Sequence, residues 1–287
     1  MLIISDRVGV CNASGDEKMT HYPVDTAGRP VPLPVHTGAY FSQALGREQP
    51  YSYLLPHDYD PERAYPALVL LHGLNSDYQG WTNYTRIARY VAAYDLVVAC
   101  PDGGAGWYTN AADGGERRED DITQDFVRHL QATFSLVPSG RGWGIGGLSM
   151  GGYGAIKIAL KHPHLFPVAV SHSGAFEKML GSAHPIFGDP EADRSLRYGE
   201  NPFRLIEQAL CGLPTDRPRL HIDCGTEDSL LTSNRRFVDH LNFVGYPYTY
   251  HELPGRHTWP YWDRAFKTRL PELARNLGAS AKSPKAR

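Results

Sequence analysis

Short apolar runs recur along the chain at residues 67–71, 96–100, 144–148, 168–170 and 220–223. Each is brief and bounded by Gly, Pro or polar turn residues, the signature of a strand buried on both faces. Residues 248–253 are more polar and suit a sheet edge. Upstream, residues 39–44 and 51–55 flank Gly46-Arg47-Glu48 and are expected to pair antiparallel. Helical patterns separate the later strands. Residues 122–134 place Ile122, Phe126, Val127 and Leu130 on one face, and 153–160, 234–243 and 259–277 are further candidates. Strand and helix in alternation predict an α/β fold, with a mostly parallel sheet covered by helices on both sides.

Residues 35–277 are expected to form one domain. Residues 1–34, polar and broken by Gly and Pro, are expected as a loose N-terminal arm, and 278–287 as a flexible C-terminal tail. The stretch 174–217 interrupts the rhythm, carries a short helix near 202–209, and is expected to be a lid-like insertion over the active-site end of the sheet.

Composition narrows the function classes. The 287 residues hold 29 Lys+Arg against 31 Asp+Glu, a formal charge of −2, so nothing draws the chain generally to nucleic acid or anionic lipid. A hydrophobic share of 41% rules out a disordered chain. The four cysteines form no C-x-x-C pair, so neither a zinc site nor a dithiol motif is suggested. No stretch approaches the roughly 20 apolar residues that span a bilayer. The opening Met1-Leu2-Ile3-Ile4-Ser5-Asp6-Arg7 has no basic region before its apolar run, and a cytoplasmic location is expected. Sequence leaves open whether the chain forms a homo-oligomer.

The strongest chemical signal is Gly147-Leu148-Ser149-Met150-Gly151, a G-x-S-x-G pattern between an apolar strand and a Gly-rich helix start. A chain reversing sharply there needs small neighbours, and it lifts the Ser149 hydroxyl clear of the sheet beside the helix N-terminus. The overlapping Gly142-Trp143-Gly144-Ile145-Gly146-Gly147 formally matches the dinucleotide pattern G-x-G-x-x-G. Its glycines lie within the strand instead of after it, and no acidic residue stands near position 167 to take a ribose hydroxyl, so the nucleotide assignment is rejected. No cofactor and no metal are expected.

In such a sheet the serine is followed along the chain by an acid and then a histidine. Of 13 histidines, His257 stands out because it lies in a loop, Pro254 to Trp259, between the last strand and the last helix. His162 and His164 sit too close behind the serine, and no acid separates His172 from it. His184 falls in the insertion, His240 in a helix, and His221 and His251 within strands. The acid is sought in the loop after residues 220–223, where Glu227 and Asp228 are neighbours and either would also suit a helix N-terminus. A second oxyanion donor is expected from Leu71-His72-Gly73-Leu74-Asn75, at the Leu74 amide, with the Met150 amide supplying the first. Trp107, Tyr108 and Trp259 are candidates to line the substrate pocket.

With these residues in place, the sequence resembles an esterase family of α/β-hydrolases. That family includes tributyrin-type, feruloyl and acetylxylan esterases, S-formylglutathione hydrolases and mycolyltransferases. The resemblance runs from about Tyr40 to Leu277. Its markers are Leu71-His72-Gly73, Pro101 to Gly104, Trp107-Tyr108-Thr109, Gly147 to Gly152, Cys224 to Asp228, and Gly255 to Trp259 with Trp262. It implies an α/β-hydrolase fold, a triad of Ser149, Asp228 and His257, and an oxyanion hole from the Leu74 and Met150 amides. The implied activity is hydrolysis of small ester substrates, short acyl or aryl, through an acyl-enzyme on Ser149. Rivals are a thioesterase, an acyltransferase, and a non-catalytic binding protein on the same fold.

Overall fold

The computed structural model describes residues 21–181 and 183–285. The main sheet has eight strands: β2 (His36–Ser42), β3 (Arg47–Leu54), β4 (Ala67–Leu71), β5 (Val97–Pro101), β6 (Trp143–Leu148), β7 (Val168–His172), β8 (Arg219–Gly225) and β9 (Tyr248–Leu253). Their order across the sheet is β2-β3-β5-β4-β6-β7-β8-β9. Both pairings of β3 are antiparallel, and every pairing from β5 to β9 is parallel. The carboxyl ends of six parallel strands therefore share one rim, and the loops leaving that rim can meet.

Side chains of β4 show why helices cover both faces. Val69 and Leu71 enter one apolar layer with Phe126, Ile156 and Phe237, while Leu68 and Leu70 enter the opposite layer with Trp81, Phe266 and Leu273. Each fully buried aliphatic side chain contributes about 1.5–3 kcal/mol. The helices are α1 (Gly80–Tyr84), α2 (Ile87–Val91), α3 (Arg118–Asp120), α4 (Val127–Thr133), α5 (Met150–Lys161), α6 (Arg194–Gly199), α7 (Pro202–Cys211), α8 (Leu231–Val244) and α9 (Trp259–Leu277). Residues Asp121–Phe126 form a π-helical stretch that joins α3 to α4. Among the described residues, no helix is long and apolar enough to cross a membrane.

Two expectations about the chain ends change. Residues 1–20 of the expected arm lie outside the described residues. Farther on, Leu33 is buried, and β1 (His21–Tyr22) pairs in parallel with β10 (Ser283–Pro284). The segment from Gly278 to Lys285 is not a frayed tail. Lys282 is buried, with its ammonium 2.8 Å from Asp95 and in contact with Asp58. A backbone bridge joins Ala281 to Tyr94. Specific ion pairs and a strand partner fix a segment whose composition alone reads as solvated.

The insertion 174–217 packs against the loops that leave β5 and β6. Phe187 packs edge-on against Trp107 and Tyr153, and α7 packs against α5. A buried charge cluster ties the insertion down. The Lys157 ammonium, fully buried on α5, lies 2.7 Å from Glu119 and 2.7 Å from Glu200 of the insertion, and donates to the Tyr108 carbonyl and the Thr109 hydroxyl. Lys161 bonds the same two carboxylates, and His162 reaches Glu119. Burial would raise the Glu119 carboxyl, but Lys157, His162 and Lys161 hold it well below its ordinary 4.5. Its contribution to stability is therefore complete above that ordinary value and is lost as pH falls toward the lowered one. Lys157→Met should lower stability by about 3–5 kcal/mol, because it strips a buried cation from two carboxylates. A urea midpoint unchanged from the parent chain would refute that role.

Candidate active site

The elbow comes from steric necessity. Ser149, between β6 and α5, has φ +55°, a strained conformation that costs a non-glycine residue about 1–3 kcal/mol. A Cβ on Gly147 would collide with the Gly151 backbone, and one on Gly151 with the carbonyls of Leu71 and His72. Only glycine at both positions lets α5 start this close to β4. The turn is clamped by Ser149 N–H donating to the His172 carbonyl at 2.9 Å and by Ala175 N–H donating to the Ser149 carbonyl at 3.1 Å.

The Ser149 hydroxyl lies 2.9 Å from His257 Nε2. On the other side of the ring, His257 Nδ1 lies 3.0 and 2.9 Å from the two oxygens of Asp228. The Asp228 carboxylate also accepts from the Leu230 N–H at 2.8 Å. Burial would raise the Asp228 carboxyl, but hydrogen bonds from His257 and the Leu230 N–H hold it below its ordinary 3.8. It is thus a carboxylate throughout the neutral range. The three side chains come from the loops after β6, β8 and β9, and they meet because those strands are parallel. Glu227, the other acid considered, is exposed and pairs with Arg256.

The loop after β4 is held rigidly. His72 is buried, its Nδ1 donates to the Gly73 carbonyl at 2.8 Å, and its Nε2 accepts from the Gly103 N–H at 2.8 Å. That pattern requires a neutral imidazole, and burial holds its pKa below the ordinary 6.5. Among the described residues, no hydrogen bond engages the main-chain N–H of Leu74 or of Met150, the first residue of α5. Both amides border Ser149 on the rim of the sheet.

A cavity of about 350 Å³ opens at Ser149, lined by Leu74, Asn75, Asp77, Tyr84, His257, Trp259 and Trp262 among others. Trp259, expected in the pocket, lies there, its ring 5.1 Å from Tyr84 and 5.2 Å from Trp262. Trp107 and Tyr108 do not line it. Both have left-handed backbones, φ +53° and +52°, which turn their side chains inward, leaving them 5% and 0% exposed. The Tyr108 hydroxyl instead donates to the His72 carbonyl at 3.0 Å, and its ring lies against Gly103 and Gly154. Tyr108 is thereby tied to the loop after β4, and Trp107 packs against Tyr153 and Phe187. Among the described residues, none of the insertion 174–217 borders this cavity. Sequence patterns did not single out Tyr84 as a cavity residue. Trp262 stood out only as a family marker, although its place on the first turn of α9 brings it beside His257.

Comparison with known proteins agrees with this architecture. The family model described as "Putative esterase" matches residues 42–273. The chain is 29% identical over 248 residues to esterase Rv1288 of Mycobacterium tuberculosis, covering 76% of this chain and 54% of the relative. It therefore spans about half the length of that relative. It is 26% identical over 215 residues to an acetyl esterase of Caldicellulosiruptor saccharolyticus, covering 69% of this chain and 79% of that one. In structure it resembles the substrate-bound fluorophosphonate-binding serine hydrolase FphF of Staphylococcus aureus, with TM-score 0.74 and 30% identity over 85% of this chain and 99% of that chain. The sheet topology, the elbow and the extent of the family match lead to one conclusion: the chain belongs to this esterase family and has the α/β-hydrolase fold.

Proposed function

We propose that the chain is a serine carboxylesterase that hydrolyses short acyl or aryl esters through an acyl-enzyme on Ser149. The observation that carries this is the unbroken hydrogen-bonded line from Ser149 Oγ through His257 to Asp228, at the mouth of a cavity. His257 Nε2 takes the Ser149 proton as Oγ attacks the ester carbonyl carbon. The developing oxyanion accepts from the Leu74 and Met150 amides, each such donor being worth about 3 kcal/mol in the barrier. His257 returns the proton to the departing alcohol. Water then attacks the acyl carbonyl, again giving its proton to His257, and releases the acid and free Ser149. Asp228 fixes the imidazole tautomer throughout and stabilises its charged form.

Cavity size supports a small substrate, since about 150 Å³ already holds a benzene ring and this cavity measures about 350 Å³. Rates on p-nitrophenyl esters should be highest for acetyl to butyryl groups and fall steeply for palmitoyl. A matched thioester and an added alcohol acceptor, run on the same preparation, separate esterase from thioesterase and acyltransferase. A fluorophosphonate probe should label Ser149 at neutral pH. No labelling and no turnover of any ester would overturn the enzyme assignment in favour of a binding role.

A further inference from the structure

Tyr108 lies outside the substrate cavity, fully buried, with its backbone in the left-handed region at φ +52°. Glycine is the usual occupant of that conformation, so a tyrosine there bears strain for the sake of its side chain. Its ring fits only because residues 103 and 154 are glycine: a Cβ there would stand 2.2 and 2.7 Å from the ring. The Tyr108 carbonyl accepts from the Lys157 ammonium at 2.6 Å, and the hydroxyl donates to the His72 carbonyl at 3.0 Å. Burial holds the phenol well above its ordinary 10, so the hydroxyl keeps its proton through the neutral range.

We infer that Tyr108 is a positioning residue for the oxyanion hole, acting through the His72 carbonyl to keep the loop after β4 set against Ser149; this rests on the serine esterase assignment above. Gly73 of that loop lies against the nucleophile, since a Cβ on it would stand 3.4 Å from the Ser149 Cβ. Peptide planarity carries the effect onward. The His72–Gly73 peptide is held at its carbonyl by Tyr108. The next peptide, Gly73–Leu74, is held at its carbonyl by His72 Nδ1 at 2.8 Å and by the Ser76 N–H at 3.2 Å. In a planar trans peptide the N–H points opposite to the carbonyl, so these bonds fix the direction of the Leu74 N–H. Gly73 joins the two planes, and a glycine has no Cβ to limit its rotation. With the Tyr108 bond gone, the first plane can turn about Gly73, and the Leu74 N–H loses its fixed bearing on the ester oxygen. The same His72 carbonyl abuts Gly151, one residue past Met150, where a Cβ would stand 2.6 Å from it. Its placement therefore also sets the spacing between the two donors.

The test uses the full chain with Tyr108→Phe, which keeps the ring and deletes the hydroxyl, and with Tyr153→Phe as a matched control. Tyr153 is equally buried, and its hydroxyl donates to the Glu200 carbonyl at 2.8 Å, away from the loop after β4. Both variants should lower the urea midpoint. Only Tyr108→Phe is expected to lower kcat on p-nitrophenyl acetate, about tenfold with KM unchanged, the scale of one hydrogen bond. A trifluoromethyl ketone, whose adduct with Ser149 carries the oxyanion, should bind that variant about tenfold more weakly than the parent chain. A kcat loss under about threefold in Tyr108→Phe, or an equal loss in Tyr153→Phe, would overturn the proposal. An unchanged inhibitor constant, or a Tyr108→Phe chain that fails to fold, would overturn it as well. The parent chain is measured alongside: if it hydrolyses esters and takes the fluorophosphonate label while Tyr108→Phe matches it, only the positioning role falls. If the parent chain does neither, the esterase assignment falls and takes this role with it.

Discussion

Ser149→Ala is expected to lower kcat for p-nitrophenyl acetate by roughly 10⁶-fold, the loss typical of removing a catalytic serine. The substitution deletes the oxygen that lies 2.9 Å from His257 Nε2, so no acyl-enzyme can form on residue 149. Alanine tolerates φ +55° no better than serine does, and the clamps on the Ser149 backbone, from its N–H to His172 and from Ala175 to its carbonyl, do not involve the side chain. The stability read from a urea curve should therefore stay within about 0.5 kcal/mol of the parent, the range of substitutions that break no structural contact. Labelling by a fluorophosphonate should vanish with activity. Turnover within about tenfold of the parent chain would place the nucleophile elsewhere.

Asp228→Asn should cost about 10⁴-fold in kcat with little change in fold, as an acid-to-amide change does in other serine triads. The Asn oxygen can still accept from the Leu230 N–H, which leaves the NH₂ group facing His257 Nδ1. A donor there forces the imidazole proton onto Nε2, and Nε2 can then no longer accept from Ser149. Because the parent carboxyl is held below 3.8, Asp228 stays charged above that pH and does not set any loss of activity in the neutral range. The same depression makes the carboxylate a stabilising group whose contribution is present above 3.8 and is lost as pH falls through its lowered value. Steady-state rates with a urea denaturation curve check both statements. A loss under about a hundredfold would make Glu227 the residue to examine next.

Patterns local in sequence are the ones that sequence makes legible. The apolar run of β4 and the helix over residues 259–277 announce themselves through periodicity, and α9 spans Trp259–Leu277. The surroundings of Ser149 are legible because steric crowding restricts the neighbours to glycine, and a glycine leaves a mark in the letters. Contacts between distant segments leave no such mark. Lys157 reads as an ordinary helix lysine until Glu119 and Glu200 are brought to it from opposite directions along the chain. Trp107 and Tyr108 read as pocket aromatics because nothing in their types reveals the left-handed backbone that points them inward. Lys282 looks like part of a solvated tail until Asp95 and Asp58 close around it. The short helices α1 and α2 escape periodicity because five residues are too few to show a face.

Among the described residues, five that are not glycine hold a positive φ: Asn75, Trp107, Tyr108, Ser149 and Ser173. All lie in loops that leave β4, β5, β6 and β7 on one rim. Selection for heat resistance alone would drift toward glycine at those places where the chain is bent against its preference, and every such gain would be drawn from the rim that carries Ser149 and the loops packed around it. Stabilising changes are better sought on the opposite rim, around the β1 and β10 pair and the far ends of the helices, where tension and chemistry do not share an address.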